Sequence, residues 1–296
     1  MVEYSIWVIE YARALEYPVS GIVYGAHNAG TRVLPYCYVL MRSSDNVVLV
    51  DTGFDYAKYG KELADSYGIT NWQPPRVLLP RAGVTPEDVD TVIITHNHFD
   101  HAGDVEAFPN ARVVVQRREV ENWLSVLCAP QRMRWLTTGL DPDDLFALLE
   151  VARQGRLDLV DGPAEVLPGV SVRPAFDTHT AGSQYVVVTA RGGPWVLAGD
   201  AVYVYENLVG VRGDGVMVPV GFATGSQERC IHVMGQIMDQ VMGDTGRVVP
   251  VHEVALWERF PSVEYSDGLH IAEITRAASE MTKLRVPEAL IEDSEA

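Results

Sequence analysis

Thr95-His96-Asn97-His98-Phe99-Asp100-His101 places three imidazoles and a carboxylate within six residues, directly after the apolar run Val92-Ile93-Ile94. That β-branched run reads as a short buried strand, so the polar residues sit on the loop leaving its end. Successive side chains of extended backbone point to opposite sides, so His96 and His98 can aim one way and Asp100 and His101 another. One loop can thereby feed two adjacent metal ions. The chain has eight histidines in 296 residues, and three within six positions is a concentration that a polar surface loop does not require. Imidazole and carboxylate together suit zinc, manganese, iron or cobalt without any thiolate.

Further candidate ligands follow later hydrophobic runs. Asp177-Thr178-His179-Thr180-Ala181-Gly182-Ser183 comes after Val170 to Phe176, Gly199-Asp200 after Trp195-Val196-Leu197-Ala198, and His252 after Val248-Val249-Pro250-Val251. Ligands gathered at corresponding ends of several strands are what an active site at one sheet edge requires. The His-x-His-x-Asp-His loop, with His179, Asp200 and His252 in that order, resembles the metallo-β-lactamase superfamily, and the likeness runs from Asp51-Thr52-Gly53 to His252.

The resemblance implies an α/β fold, an αββα four-layer sandwich of two packed mixed β-sheets flanked by helices. It also implies that His96, His98 and His179 hold one divalent ion, that Asp100, His101 and His252 hold a second, and that Asp200 bridges both. Asp51 would stand behind a ligating histidine, because a coordinating imidazole usually gives its other N–H to a carboxylate or carbonyl. Two ions of this kind turn water into hydroxide at neutral pH. That metal-bridging hydroxide would be the nucleophile, with Asp100 passing a proton to the leaving group. Zn2+ is the expected metal, with Mn2+, Fe2+ and Co2+ open to the same ligands.

Within the superfamily, His98 stands where diiron flavoproteins carry Glu, and no signal peptide of a secreted β-lactamase is evident. Asp200-Ala201-Val202-Tyr203 is similar to the ring-opening N-acyl homoserine lactonases, in which a Tyr three positions after the bridging Asp contacts the substrate carbonyl. That implies a catalytic role for Tyr203. Val251-His252-Glu253 resembles the same group with Glu253 in place of Asp. The expected function is a dinuclear metal-dependent lactonase opening a small cyclic ester. Alternatives are another small-molecule hydrolase of a thioester, cyclic amide or activated aryl ester, or a metal-containing effector protein without turnover. A homodimer is carried over from lactonase relatives.

Composition narrows the partners. Forty acidic against 23 basic residues give a formal charge of -17, which repels nucleic acid phosphates and anionic lipid. Cys37, Cys128 and Cys230 are odd in number and widely spaced, against a disulfide framework. No signal-like or membrane-spanning apolar run is present. A cytoplasmic protein acting on a small molecule, without nucleic acid or membrane, is the expectation.

Along the chain, Tyr4 to Ile9 reads as a strand, Tyr11 to Pro35 as a long irregular cover, and Leu34 to Met41 with Val47 to Val50 as a hairpin. Tyr56 to Tyr67 reads as a helix, and Thr85-Pro86-Glu87-Asp88 as a capped helical start. Residues 117–155 form a helical insertion, Ser226 to Met242 a helix with one apolar side, and Gly268 to Thr282 a closing helix. One domain over 1–282 and an acidic tail over 283–296 complete the reading. His27, His232 and His270 receive no metal role.

Overall fold

The computed structural model describes residues 2–278, 280 and 284. One sheet contains β1 (Ser5–Pro18), β2 (Thr31–Arg42), β3 (Val47–Val50), β4 (Ile69–Thr70), β5 (Thr91–Ile93), β6 (Arg112–Gln116) and β7 (Leu157–Val160). The second contains β8 (Ala164–Leu167), β9 (Val170–Pro174), β10 (Gln184–Ala190), β11 (Gly193–Leu197) and β12 (Val248–Val249). The chain then returns to the first sheet with β13 (Ser262–Glu264) and β14 (His270–Thr275). The strand orders are β13-β14-β1-β2-β3-β5-β6-β7, with β4 on β1, and β12-β11-β10-β9-β8. Both sheets are mixed: β3, β5, β6 and β7 run parallel, as do β11 and β12, while the other pairs are antiparallel.

Period-two alternation explains the layering. Ile6 and Val8 of β1, Val39 and Met41 of β2, and Val48 and Val50 of β3 meet Val170, Val172, Val186, Val188, Leu197 and Val249 of the other sheet in one apolar core. The opposite faces, with Trp7, Ile9, Tyr38, Leu40 and Leu49 on the first sheet and Val196 on the second, belong to a separate cluster that includes Cys230, Val233, Met234 and Ile237 of the helix Gln227–Gln240. The result is helix, sheet, sheet, helix, the four layers that the resemblance implies.

Three expectations need correction. Residues 11–35 are not an irregular cover: β1 runs on to Pro18 and β2 begins at Thr31. The register of their pairing shifts between Glu10 and Ala12 and again between Ala14 and Tyr17, and such bulges break the alternation by which a strand is recognised. The closing helix is also wrong where the structure describes it. His270–Thr275 is β14, paired with β1, with Ile271 in one core cluster and Ala272 and Ile274 in the other. A strand buried on both faces has no alternation to betray it. Residues 279 and 281–282, and nearly all of the acidic tail, lie outside the described residues. Finally, β7 and β8 go unread in the sequence, being short and only half-buried.

The expected helices are found at Lys58–Ser66, at Arg117–Leu127 and Pro142–Arg153 in the insertion, and at Gln227–Gln240, where the Ser226 hydroxyl caps the first turn. Thr85 begins only one 3-10 turn, Pro86–Asp88, closed by a capping box with Asp88. No helix among the described residues is long and apolar enough to cross a membrane.

Asp144, in the first turn of Pro142–Arg153, is 7% exposed, and its Oδ2 has no hydrogen-bond partner among the described residues. Burial, reinforced by Asp141, Asp143, Asp104 and Asp55, pushes its carboxyl up from 3.8 to about 9. Because the folded value lies above the unfolded one, its contribution is full below 3.8 and is lost as pH rises toward about 9. Asp144→Asn, neutral throughout, should therefore stabilise the fold by roughly 1–3 kcal/mol near neutral pH. In urea unfolding the gain should widen between about pH 6 and about pH 8.5; equal stability at both would contradict this account.

Candidate metal centre

Five loops converge at the strand ends. The loop after β5 brings His96, His98, Asp100 and His101, that after β9 His179, that after β11 Asp200, and that after β12 His252, while Asp51 follows β3. All are buried. Their ligand atoms fall into two groups: His96, His98, His179 and Asp200 in one, Asp100, His101 and His252 in the other, each with its atoms within 4.8 Å of one another.

Hydrogen bonds from outside aim the rings. His101 sends Nδ1 to Asp51 Oδ2 at 2.8 Å, His179 sends Nδ1 to the carbonyl of Phe222 at 2.7 Å, and His252 sends Nδ1 to the carbonyl of Pro35 at 2.8 Å. Each therefore turns the lone pair of Nε2 inward. His98 presents Nδ1 instead, 3.1 Å from His96 Nε2 and 2.7 Å from His179 Nε2. Asp200 faces both groups. Its Oδ2 lies 3.2 Å from His179 Nε2 and 3.7 Å from His96 Nε2, and its Oδ1 lies 3.2 Å from both His101 Nε2 and His252 Nε2. Asp100 Oδ2 lies 3.4 Å from His101 Nε2.

Asp51 holds this loop from beneath. It accepts from the backbone N–H of Thr95 at 2.7 Å and from the Thr95 hydroxyl at 2.9 Å as well as from His101. Its φ of +63° is a left-handed conformation that Asp tolerates better than most residues. Asp51 thus joins the root of this loop to the His101 ring.

Electrostatics suits a cationic occupant. Burial, together with neighbouring imidazoles, holds His96, His98 and His179 below the usual histidine range, in the neutral form that can ligate. Burial opposes the charged form of His101 and His252 too, yet Asp200 and Asp100 outweigh it and raise both. Asp200 is pushed up by burial but held well below its ordinary value by the four imidazoles around it. Facing nitrogen lone pairs at 2.7–3.1 Å repel unless a proton or cation lies between them. The Nε2 of His101 and the Oδ1 of Asp200 also have no hydrogen-bond partner among the described residues, which is rare for buried groups. The donor set fits two divalent cations.

Residues 30–234 match the sequence model of the metallo-beta-lactamase superfamily. The chain belongs to that superfamily. Among curated relatives, an N-acyl homoserine lactonase of Bacillus sp is 31% identical over 182 residues, covering 58% of this chain and 65% of the relative. The N-acyl homoserine lactonase AiiB of Agrobacterium fabrum is 27% identical over 191 residues, covering 59% and 65%. The chain thus spans just under two thirds of the length of these relatives. Solved structures share the fold: a quorum-quenching N-acyl homoserine lactone lactonase has a TM-score of 0.65 at 21% identity, covering 87% of this chain and 95% of that one. The dizinc quorum-quenching lactonase AidC has a TM-score of 0.60 at 15% identity, covering 94% and 96%.

Tyr203 lies beside the two groups, its ring 4.9 Å from that of His252 and 5.6 Å from that of His179. The buried amide of Asn207 accepts from the backbone N–H groups of Tyr203 and Val204, at 3.1 and 3.0 Å, and so braces that turn. A cavity opens over the centre, lined by Asp100, Asp200 and Tyr203 and also by Tyr17, Tyr36 and Tyr67. Glu253 turns away: its carboxylate accepts from the backbone of Tyr205 and Ala255. His232 is beside Glu228 on an exposed face, and His270 pairs with Glu10. Of the insertion residues, Trp123 is buried 5.7 Å from the His98 ring, whereas Met133 and Trp135 are exposed.

The residue most clearly missed is Glu119, fully buried on Arg117–Leu127. Its Oε1 accepts from the Asn97 N–H at 2.9 Å and the Trp123 indole at 2.8 Å, its Oε2 from the Thr180 hydroxyl at 2.8 Å and the Gly182 N–H at 2.7 Å. One carboxylate thereby ties the loop of His96 and His98 to that of His179. A Cβ on Gly182 would come within 2.2 Å of the Glu119 nitrogen, so only glycine permits this approach. In sequence Glu119 looks like any acid in a first helical turn. Glu119→Gln cannot accept at all four donors, and it should weaken metal affinity about 10–100-fold, as loss of groups behind metal ligands typically does, while the far-ultraviolet dichroism stays unchanged. Competition with a chromogenic chelator measures this, and wild-type affinity would refute it.

Proposed function

We propose that this chain is a metal-dependent lactonase that opens a small cyclic ester. His96, His98 and His179 would hold one divalent ion and Asp100, His101 and His252 the other, with Asp200 facing both groups. The observation that carries the reading is the position of Asp200, one carboxylate oxygen turned to each imidazole group, with Tyr203 three residues later lining the same cavity. The names of the curated relatives, N-acyl homoserine lactonases, give the substrate class. Zinc is the proposed metal, since buried imidazole and carboxylate without thiolate suit it.

The ions, when bound, supply Lewis acidity that acidifies water and polarises a carbonyl. The protein supplies orientation. Asp51 and the carbonyls of Phe222 and Pro35 fix the ligand rings. Burial keeps the Tyr203 phenol protonated, with Asp200 acting in the same direction, so it can donate a hydrogen bond to the ester carbonyl. Asp100, which lines the cavity beside His101, would take a proton from the attacking water and hand it to the ring oxygen as the C–O bond breaks. Water adds to the acyl carbon, and the product is the open hydroxy acid. The cavity over the centre, lined by tyrosines and carboxylates, suits a small polar substrate. The net charge of -17 disfavours nucleic acid and anionic membrane.

With the zinc-loaded protein, pH-stat assays should show hydrolysis of N-acyl homoserine lactones, abolished by chelation and restored by zinc. Tyr203→Phe should lower kcat/KM about 10–100-fold, the effect of losing one positioned donor, with metal content unchanged. Turnover of S-lactoylglutathione or a phosphodiester in the absence of turnover of any lactone would replace this reading with another hydrolase of the superfamily.

A further inference from the structure

Four phenols line the cavity over the candidate metal centre: Tyr17, Tyr36, Tyr67 and Tyr203. They arrive from four places, the end of β1, the start of β2, the C-terminal end of the helix Lys58–Ser66 and the loop after Asp200. Tyr36 and Tyr203 are buried, Tyr17 and Tyr67 half-buried. None of the four hydroxyls has a hydrogen-bond partner among the described residues, whereas the neighbouring Tyr11 hydroxyl donates to the Asp100 carbonyl at 2.7 Å.

Each ring is fixed from behind. Tyr36 packs edge-on against His252 with centroids 5.2 Å apart, and Tyr67 stacks on Phe99 at 6.0 Å. Tyr17 rests on Gly21, where a Cβ would come within 2.7 Å of its Cε1. Gly21 belongs to the turn that packs on residues 219–222, the segment whose Phe222 carbonyl orients His179. Packing thereby fixes these three rings at the cavity wall.

We propose that Tyr17, Tyr36 and Tyr67, together with Tyr203, form a hydrogen-bonding wall that selects N-acyl lactones whose acyl chain carries a further oxygen over those with a plain alkyl chain of equal length. The inference rests on the lactonase reading and deepens it. A phenol is protonated at neutral pH and is both donor and acceptor, so it can meet a carbonyl or hydroxyl oxygen of a substrate. An alkyl group pressed against the same wall would strip water from the hydroxyls and return nothing. Sites built to bond a substrate oxygen discriminate strongly against analogues lacking it.

The test uses the zinc-loaded full chain and a matched pair, N-hexanoyl and N-(3-hydroxyhexanoyl) homoserine lactone, with metal content checked for every variant. The wild type should favour the hydroxylated lactone by about tenfold or more in kcat/KM. Tyr17→Phe, Tyr36→Phe and Tyr67→Phe should each reduce that preference, chiefly through KM on the hydroxylated lactone, while turnover of the alkyl lactone stays within about twofold. Equal kcat/KM on the pair, or variants that slow both members alike, would overturn the selective wall while leaving the lactonase reading intact. Failure to hydrolyse either lactone would overturn both.

Discussion

The two oxygens of Asp200 are the constraint around which the rest of the structure is arranged. A carboxylate with almost no solvent access needs positive charge close by, and here four imidazoles from three loops surround it. Two of them, His96 and His179, are held in the neutral form by burial and by neighbouring imidazoles, as is His98 beside them. The remaining deficit of positive charge is what a pair of divalent cations supplies. Buried, unpaired ligand atoms are costly in their absence, so metal binding and stability of the strand-end loops are coupled.

Holding that arrangement requires a second ring of groups. Asp51 fixes the position of His101 and of Thr95 at the root of the loop. Glu119 spans from the middle of the same loop to the residues beside His179. The carbonyls of Phe222 and Pro35 are backbone groups whose placement depends on the pairing around β1 and β2. The local pairing of Val23 with Val220 therefore bears on His179 from a distance. Long strands β1 and β2, with their register shifts, deliver Tyr17, Leu34 and Tyr36 to the cavity.

Legibility followed the distance along the chain over which a signal acts. The two groups of histidines and aspartates were legible as candidates because each residue follows a hydrophobic run, and the spacing within Thr95 to His101 is itself chemical information. Asp51 was readable only through family resemblance, and its role depends on a backbone conformation, φ +63°, that sequence does not display. Glu119 was invisible because its four donors come from residues 22 to 63 positions away or from its own helix. The extent of β1 was obscured by bulges, and β14 by burial on both faces. In each case pairing between distant segments decided the outcome, and local pattern carried no trace of it.

The choice of tyrosine for the cavity wall follows from the same electrostatics. No Lys or Arg is among the residues lining the cavity. A cationic side chain there would compete for Asp100 and Asp200 and would repel the cations those carboxylates are arranged to accept. A carboxylate would add a further ligand and draw a metal out of place. A phenol donates a hydrogen bond without adding charge, keeps its proton at neutral pH and has a rigid ring that packs against its neighbours. Tyr36 edge-on to His252 and Tyr67 stacked on Phe99 use that rigidity. Polar recognition next to a dinuclear centre thus calls for neutral donors, and four tyrosines meet that demand without disturbing the charge balance at Asp200.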